Sequence, residues 1–379
     1  MFPLPNHMHL SSSFRVSSKL LVPAAALLAL PLLPTVGFGQ GCMATRVSPP
    51  IIGGSEKARY LQDGQWETSL TFRFYEADRH FYDSNDEQVP ANAPRVKRAI
   101  YDVSMTRMLS ARTSATVSVP VQVGAFDRSP IPPHTGSADK AKGLGDIALT
   151  LRRWMFDPET HQRYNVRLGV GLKLPTGNEN AQTDRYVNTA TPGNPPSMAW
   201  RRGPADLAIQ PGDGGLGIVL SAEGFHQLGE SNTLAYGEVT YLLNPRGHNG
   251  VNNQWTGAGP YVPNSVTSVP DYFLVRAGVA VGEPLGVKNG SFQFGLRMEG
   301  QPVRDVLGSS EGFRRPGYTL AVEPGVAYSF GKTSVFLSVP LTVYRMRWLS
   351  VDEERAGRTT AVSAAFADYN ILAGVTYRW

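Results

Sequence analysis

Cysteine is nearly absent: Cys42 is the only one, so the chain holds no intrachain disulfide and no cysteine metal cluster. Charge is also scarce, at 18% of 379 residues, and the formal balance of +5 is not gathered into a basic stripe. That argues against a nucleic-acid partner. Long apolar runs are missing too. No internal stretch approaches the roughly 20 residues of a membrane helix. His80, His134, His161, His226 and His248 are scattered rather than spaced as metal ligands, so no metal site and no cofactor is expected.

The N-terminus carries an apolar run from Leu20 to Leu33 behind Arg15 and Lys19, then small residues at Gly37-Phe38-Gly39. This is the layout of a secretory signal peptide over 1–39. The run is too short and too rich in proline to span a membrane. Gly39, not Leu, stands three residues before Cys42, which argues against a lipidated N-terminus. A periplasmic leader over 40–64 has no periodicity.

From residue 65 the pattern changes to strict alternation. Trp66, Thr68, Leu70, Phe72 and Phe74 take one face; Glu67, Ser69, Thr71, Arg73 and Tyr75 take the other. About twelve such strands follow. Long polar connections alternate with short ones throughout. Bacterial membrane barrels sort their loops in this way, with short periplasmic turns, long outer loops and an even strand number. The expected fold is all-β: one antiparallel transmembrane β-barrel over 65–379, in the outer membrane of a Gram-negative bacterium. Its closing strand is Asp368 to Trp379, which ends on Tyr377 and Trp379. Pro120, Pro324 and Pro340 interrupt strands, so bulges are expected there.

One face of these strands is Val, Leu, Ile, Ala, Gly and Phe, with an aromatic girdle near strand ends that includes Trp66, Tyr101, Phe126, Tyr164 and Trp379. The other face holds charge at mid-strand. The cations are Arg73, Arg152, Arg163, Arg167, Lys173, Arg276 and Arg297. The anions are Asp102, Asp146, Glu223, Glu238, Glu299 and Glu323. A dry core would not hold so many charges, because unpaired buried charge is costly. A wet lumen can. The near balance of sign predicts pairs across the lumen rather than a field that selects one ion.

Catalytic patterns are weak. Ile51-Ile52-Gly53-Gly54 and Gly212-Asp213-Gly214-Gly215 echo trypsin-like segments, but no catalytic His motif accompanies them. A lipid-acting barrel hydrolase needs Ser beside His on one wall. Ser221 and His226 fall on opposite faces by parity.

Gly143-Leu144-Gly145-Asp146, followed by Leu172-Lys173-Leu174-Pro175-Thr176-Gly177, resembles the outer-membrane barrel family typified by the phenol-degradation meta-pathway protein. Those proteins open one strand with GLGD and close a later one with K-x-P-T-G. The resemblance covers roughly 66–379 in layout. It implies a transporter or channel of the outer membrane and brings no catalytic or binding residues with it. The function expected is passive passage of a small solute, hydrophobic or aromatic in class. The alternatives are a structural or sensing barrel with a charge-blocked lumen, or a lipid-acting hydrolase. The partners expected are outer-membrane lipid, the barrel assembly machinery and the solute.

Overall fold

The computed structural model describes residues 60–84, 94–127, 138–188, 198–252, 266–361 and 363–379. The expected signal peptide and Cys42 lie outside them, as does the expected leader before Tyr60. The strands, in chain order, are β1 (Trp66–Phe81), β2 (Arg95–Ser110), β3 (Thr113–Asp127), β4 (Ala138–Leu144), β5 (Ala148–Trp154), β6 (Tyr164–Lys173), β7 (Gln182–Asn188), β8 (Met198–Pro204) and β9 (Gly217–Gln227). They continue with β10 (Thr233–Leu243), β11 (His248–Asn252), β12 (Val266–Ser268), β13 (Tyr272–Gly282), β14 (Gly290–Gln301), β15 (Gly317–Phe330), β16 (Thr333–Ser338), β17 (Leu341–Arg347) and β18 (Ala364–Arg378). The helix α1 (Val351–Arg355) is far too short to cross a membrane, and no described helix is long and apolar enough to do so.

Alternation of side chains dictates which way each strand faces. On β6, Val166, Leu168, Val170 and Leu172 are exposed, while Asn165 and Lys173 are buried. An apolar face turned outward beside a polar face turned inward is the reverse of a water-soluble sheet, and it suits a wall between lipid and a polar interior. The sheet closes on itself: β18 pairs β1 from Glu67↔Arg378 to Phe81↔Ala364. Closure leaves no membrane-exposed edge of unpaired backbone groups. The result is a closed antiparallel barrel of 12 staves. Short turns lie at one end and long connections at the other. β7–β8 and β11–β12 are small hairpin-like pairs in the long connections, outside the barrel wall.

Ten of the staves are continuous strands; two are interrupted, where the alternation in sequence runs on without a break. One interrupted stave is β4 and β5, separated by Gly145–Ile147. The other is β16 and β17, separated by Val339–Pro340. The prolines explain the positions. Pro120 keeps regular register with β2, yet on its other side β4 begins at Val121 and β5 ends at Ser118. Pro324 keeps register with β14, while its other side meets the gap between β16 and β17. A proline has no N–H for a ladder bond. The neighbouring stave therefore breaks opposite Pro120 and Pro324, whose own strands keep register with β2 and β14 where bulges were expected; Pro340 lies in a break itself, and the β15–β17 pairing shifts register close by.

Candidate functional site: the barrel interior

The interior is built in three levels. At mid-barrel, inward parity brings charged side chains together into one connected chain. Glu238 accepts from Arg276 Nε at 2.7 Å, and Arg276 Nη1 lies 3.4 Å from Glu323 Oε1. Arg297 reaches Glu323 Oε2 at 3.7 Å and Glu299 at 2.8 Å. Arg73 Nη2 then donates to Glu299 Oε1 at 2.6 Å and to Asn370 Oδ1 at 3.0 Å. β1 and β14 are not neighbours in the sheet, so the Arg73–Glu299 pair cuts across the interior. Beside this chain, Arg167 Nε donates to Glu223 at 2.7 Å and its guanidinium lies over the Trp154 ring. Asp102 accepts from Ser118 Oγ, and Arg152 shares the inward face of β5. In this belt Arg73, Arg167, Arg276 and Arg297 each have a carboxylate counterpart.

The long-loop half of the interior is occupied by a segment the sequence did not mark as structural. The connection from Leu174 to Leu216 runs out through β7 and β8 and returns through a 3-10 turn at Leu207–Ile209. Almost every residue from Ala205 to Gly215 is buried, although none is in a strand. Such a stretch must have its polar backbone satisfied from outside. Arg98 on β2 donates to Ala208 O at 3.1 Å and Gln210 O at 2.8 Å; Gln122 on β3 donates to Pro211 O at 2.8 Å. Arg315 pairs with Asp206 at 3.2 Å. Ile209 packs on β3 at Gly124, where a Cβ would come within 2.7 Å of its own Cβ.

The two motifs that carried the family resemblance meet here, at the break between β4 and β5. Asp146 accepts from Gly177 N at 2.9 Å and Asp213 N at 3.2 Å. Thr176 Oγ1 donates to Gly145 O at 3.0 Å and accepts from Ile147 N at 2.9 Å. Lys173 lies between Asp146, at 3.5 Å, and Asp213. Gly177 and Gly212 touch backbone to backbone, so a side chain at either would clash at about 2.7 Å.

At the short-turn end, Tyr60 packs against the barrel wall. Its ring lies 5.0 Å from Trp154 and 6.1 Å from Phe225, edge-on and tilted respectively. Its hydroxyl donates to His161 O at 2.7 Å and accepts from Asn165 Nδ2 at 3.1 Å. Tyr60 is thus tied to β5, β6 and β9, while the chain only a few residues later begins β1 on another part of the wall.

Arg163 stands apart from the other predicted residues. It precedes β6, is exposed, and pairs with Glu230 of the next short turn at 2.9 Å. Its parity is inward, but the strand ends before it. Phe126, expected in the outer girdle, is buried inside with Ala77, Val96 and Ile209. Arg98, Gln122, Asp206, Asp213, Arg315 and Tyr60 were missed. Parity alone marks Arg98 and Gln122; nothing in a linear reading marks the rest, because they act on an in-folded loop. At the outer end, burial pushes the Asp271 carboxyl above its usual value while it accepts from Asn244 N and Val306 N. Ser221 faces inward and His226 outward on β9, so no Ser–His pair forms there. Among the described residues no group of His, Cys, Asp and Glu is arranged to hold a metal ion.

No protein-family model matches the chain, and no curated protein matches it by sequence. Among solved structures it is similar to an outer membrane channel from Pseudomonas putida F1, at 11% identity and TM-score 0.56, over 88% of this chain and 100% of that one. It is also similar to the toluene transporter TodX of P. putida, at 12% identity and TM-score 0.40, over 90% and 98%. A third is the translocator domain of the autotransporter NalP from Neisseria meningitidis, at 10% identity and TM-score 0.45, over 87% and 93%. The fold is that of an outer-membrane β-barrel.

Proposed function

We propose that this protein is an outer-membrane channel for passive passage of a small neutral solute, hydrophobic or aromatic in class. The observation that carries the reading is the self-paired charge belt. A pore that selects ions presents unpaired charge or carbonyl rings to the ion. Here the guanidiniums of Arg73, Arg167, Arg276 and Arg297 are each paired with a carboxylate, so the belt offers little net field and favours neutral molecules. Apolar inward side chains flank the belt: Leu372, Phe336 and Ala327 on one wall, Trp154, Phe225 and Leu234 on another. The first-mentioned neighbour is named an outer membrane channel, which agrees with the reading, as do the short motifs that resemble the phenol meta-pathway family.

A second reading, a barrel closed by its own contents, is favoured by the burial of 205–215 and by the Tyr60 contact. One assay separates the two. Liposomes containing the purified barrel are challenged with neutral and ionic solutes of graded size. Entry of small neutral solutes with little ionic current is expected. No entry of any solute would overturn the channel reading in favour of the closed barrel.

A further inference from the structure

Within the interior, one patch of wall carries polar atoms that make no hydrogen bond within the protein. Gln293 on β14 is 3% exposed, and both its amide oxygen and its amide nitrogen lack a hydrogen-bond partner. The hydroxyl of Tyr236 on β10, a residue 6% exposed, also lacks one. Glu323 Oε2 on β15 has no hydrogen bond either, with Arg297 Nη1 at 3.7 Å. Register places these groups together. Gly295 lies opposite Gly278 on one side and Glu323 on the other, and Gln293 lies opposite Gly325. Tyr236 lies flat across this wall: a Cβ added at Gly295 or Gly278 would come within 2.6 or 2.8 Å of its hydroxyl. The glycines therefore hollow the wall and admit the ring. Ala327, Phe336 and Leu372 form an apolar ledge beside Gly325.

Buried polar groups are nearly always bonded, and those left unbonded cost stability. Several such groups gathered on one stretch of wall by register, beside an apolar ledge, point to a ligand that completes them. We infer that Tyr236, Gln293 and Glu323 form a solute subsite for a small, neutral molecule with an apolar body and one head group that both donates and accepts hydrogen bonds. A primary carboxamide or an alcohol has this chemistry. Gln293 Oε1 and Glu323 Oε2 accept from the donor of the head group; Gln293 Nε2 and the Tyr236 hydroxyl donate to its acceptor. The nearby Arg276 and Arg297 are already paired, so a full charge on the ligand gains nothing there. Tyr236 is held by packing and by the Arg276 guanidinium 5.9 Å from its ring, with no hydrogen bond on its hydroxyl.

The inference deepens the channel reading and rests on it for its role, but binding can be measured without transport. The probe is propionamide, observed by saturation-transfer NMR on the full barrel folded in detergent micelles. Wild type is expected to bind it saturably. Gln293→Leu is expected to bind about tenfold more weakly, the factor that loss of about 1.4 kcal/mol produces. Because Gln293 makes no hydrogen bond to the protein, this variant should fold at least as well as wild type, shown by its faster migration unboiled than boiled. Tyr236→Phe removes a single oxygen and serves as the second variant. Propionamide binding that is absent, or equal in all three proteins, would overturn the subsite and leave water to complete these groups. Vesicle swelling with the same probe tests the channel separately: Gln293-dependent binding without entry would sustain the subsite and overturn the channel.

Discussion

Arg73 and Glu299 lie 226 residues apart in sequence and meet inside the barrel because both occupy inward parity on strands that face each other across a chord. Their pair is buried, and Glu299 is shared with Arg297. Removing either partner leaves a charge without part of its compensation. Arg73→Ala and Glu299→Ala should each destabilise the folded barrel. In a double-mutant cycle of unfolding in lipid vesicles they should couple by roughly 0.5–3 kcal/mol; additive effects would place the two side chains apart. The outward face obeys the opposite rule. Val170 is exposed at mid-strand between the similarly outward Leu151 and Leu220. Val170→Arg should cost roughly 2–4 kcal/mol in vesicles, read as a lower denaturant midpoint. A neutral outcome would mean that this face does not meet lipid.

The segment 205–215 is the element that narrows the interior, and its anchors are almost all charged or amide groups on the wall. Arg98, Gln122, Lys173 and Arg315 each reach its backbone or its carboxylates. Lys173→Met removes the cation from between Asp146 and Asp213 and leaves two carboxylates facing each other. Like charges at that range repel, so the segment should loosen. Single-channel current through Lys173→Met should rise several-fold and fluctuate more than in wild type. An unchanged trace would mean that the segment does not limit passage. Reading the strand pattern could not reach this element. The run Pro211-Gly212-Asp213-Gly214-Gly215 has no periodicity and carries no sign of burial. Its place depends on the glycines Gly177 and Gly212 fitting against each other, and on a gap in the wall that opens opposite Pro120.

At the scale of the whole molecule, closure depends on the last strand. β18 pairs with β1 along most of its length, the Trp66 and Trp379 rings stack at 5.6 Å, and their backbones exchange hydrogen bonds at 3.0 Å. An unclosed barrel leaves two strand edges in lipid with unsatisfied backbone groups. Deleting Tyr377 to Trp379 should therefore sharply reduce membrane-inserted protein and abolish the difference in mobility between unboiled and boiled samples. Normal insertion of the truncated chain would show that another pair of strands seals the wall.

Alternation by itself determined the fold class, the loop sorting, the closing strand and the face on which Arg73, Asp102, Glu223, Glu238, Arg276, Arg297, Glu299 and Glu323 lie, because a residue's side of a strand depends only on counting by two. Arg163 escaped that rule because parity has no meaning past the end of a strand, and Phe126 because an inward position near the loops can be filled by apolar chain. Tertiary structure alone decided which charges pair, since that depends on the stagger and curvature of a closed sheet. It also decided that a glycine-rich loop returns into the interior, that two staves break opposite prolines, and that Tyr60 reaches β5, β6 and β9. Each of these is a contact between residues that no local periodicity relates.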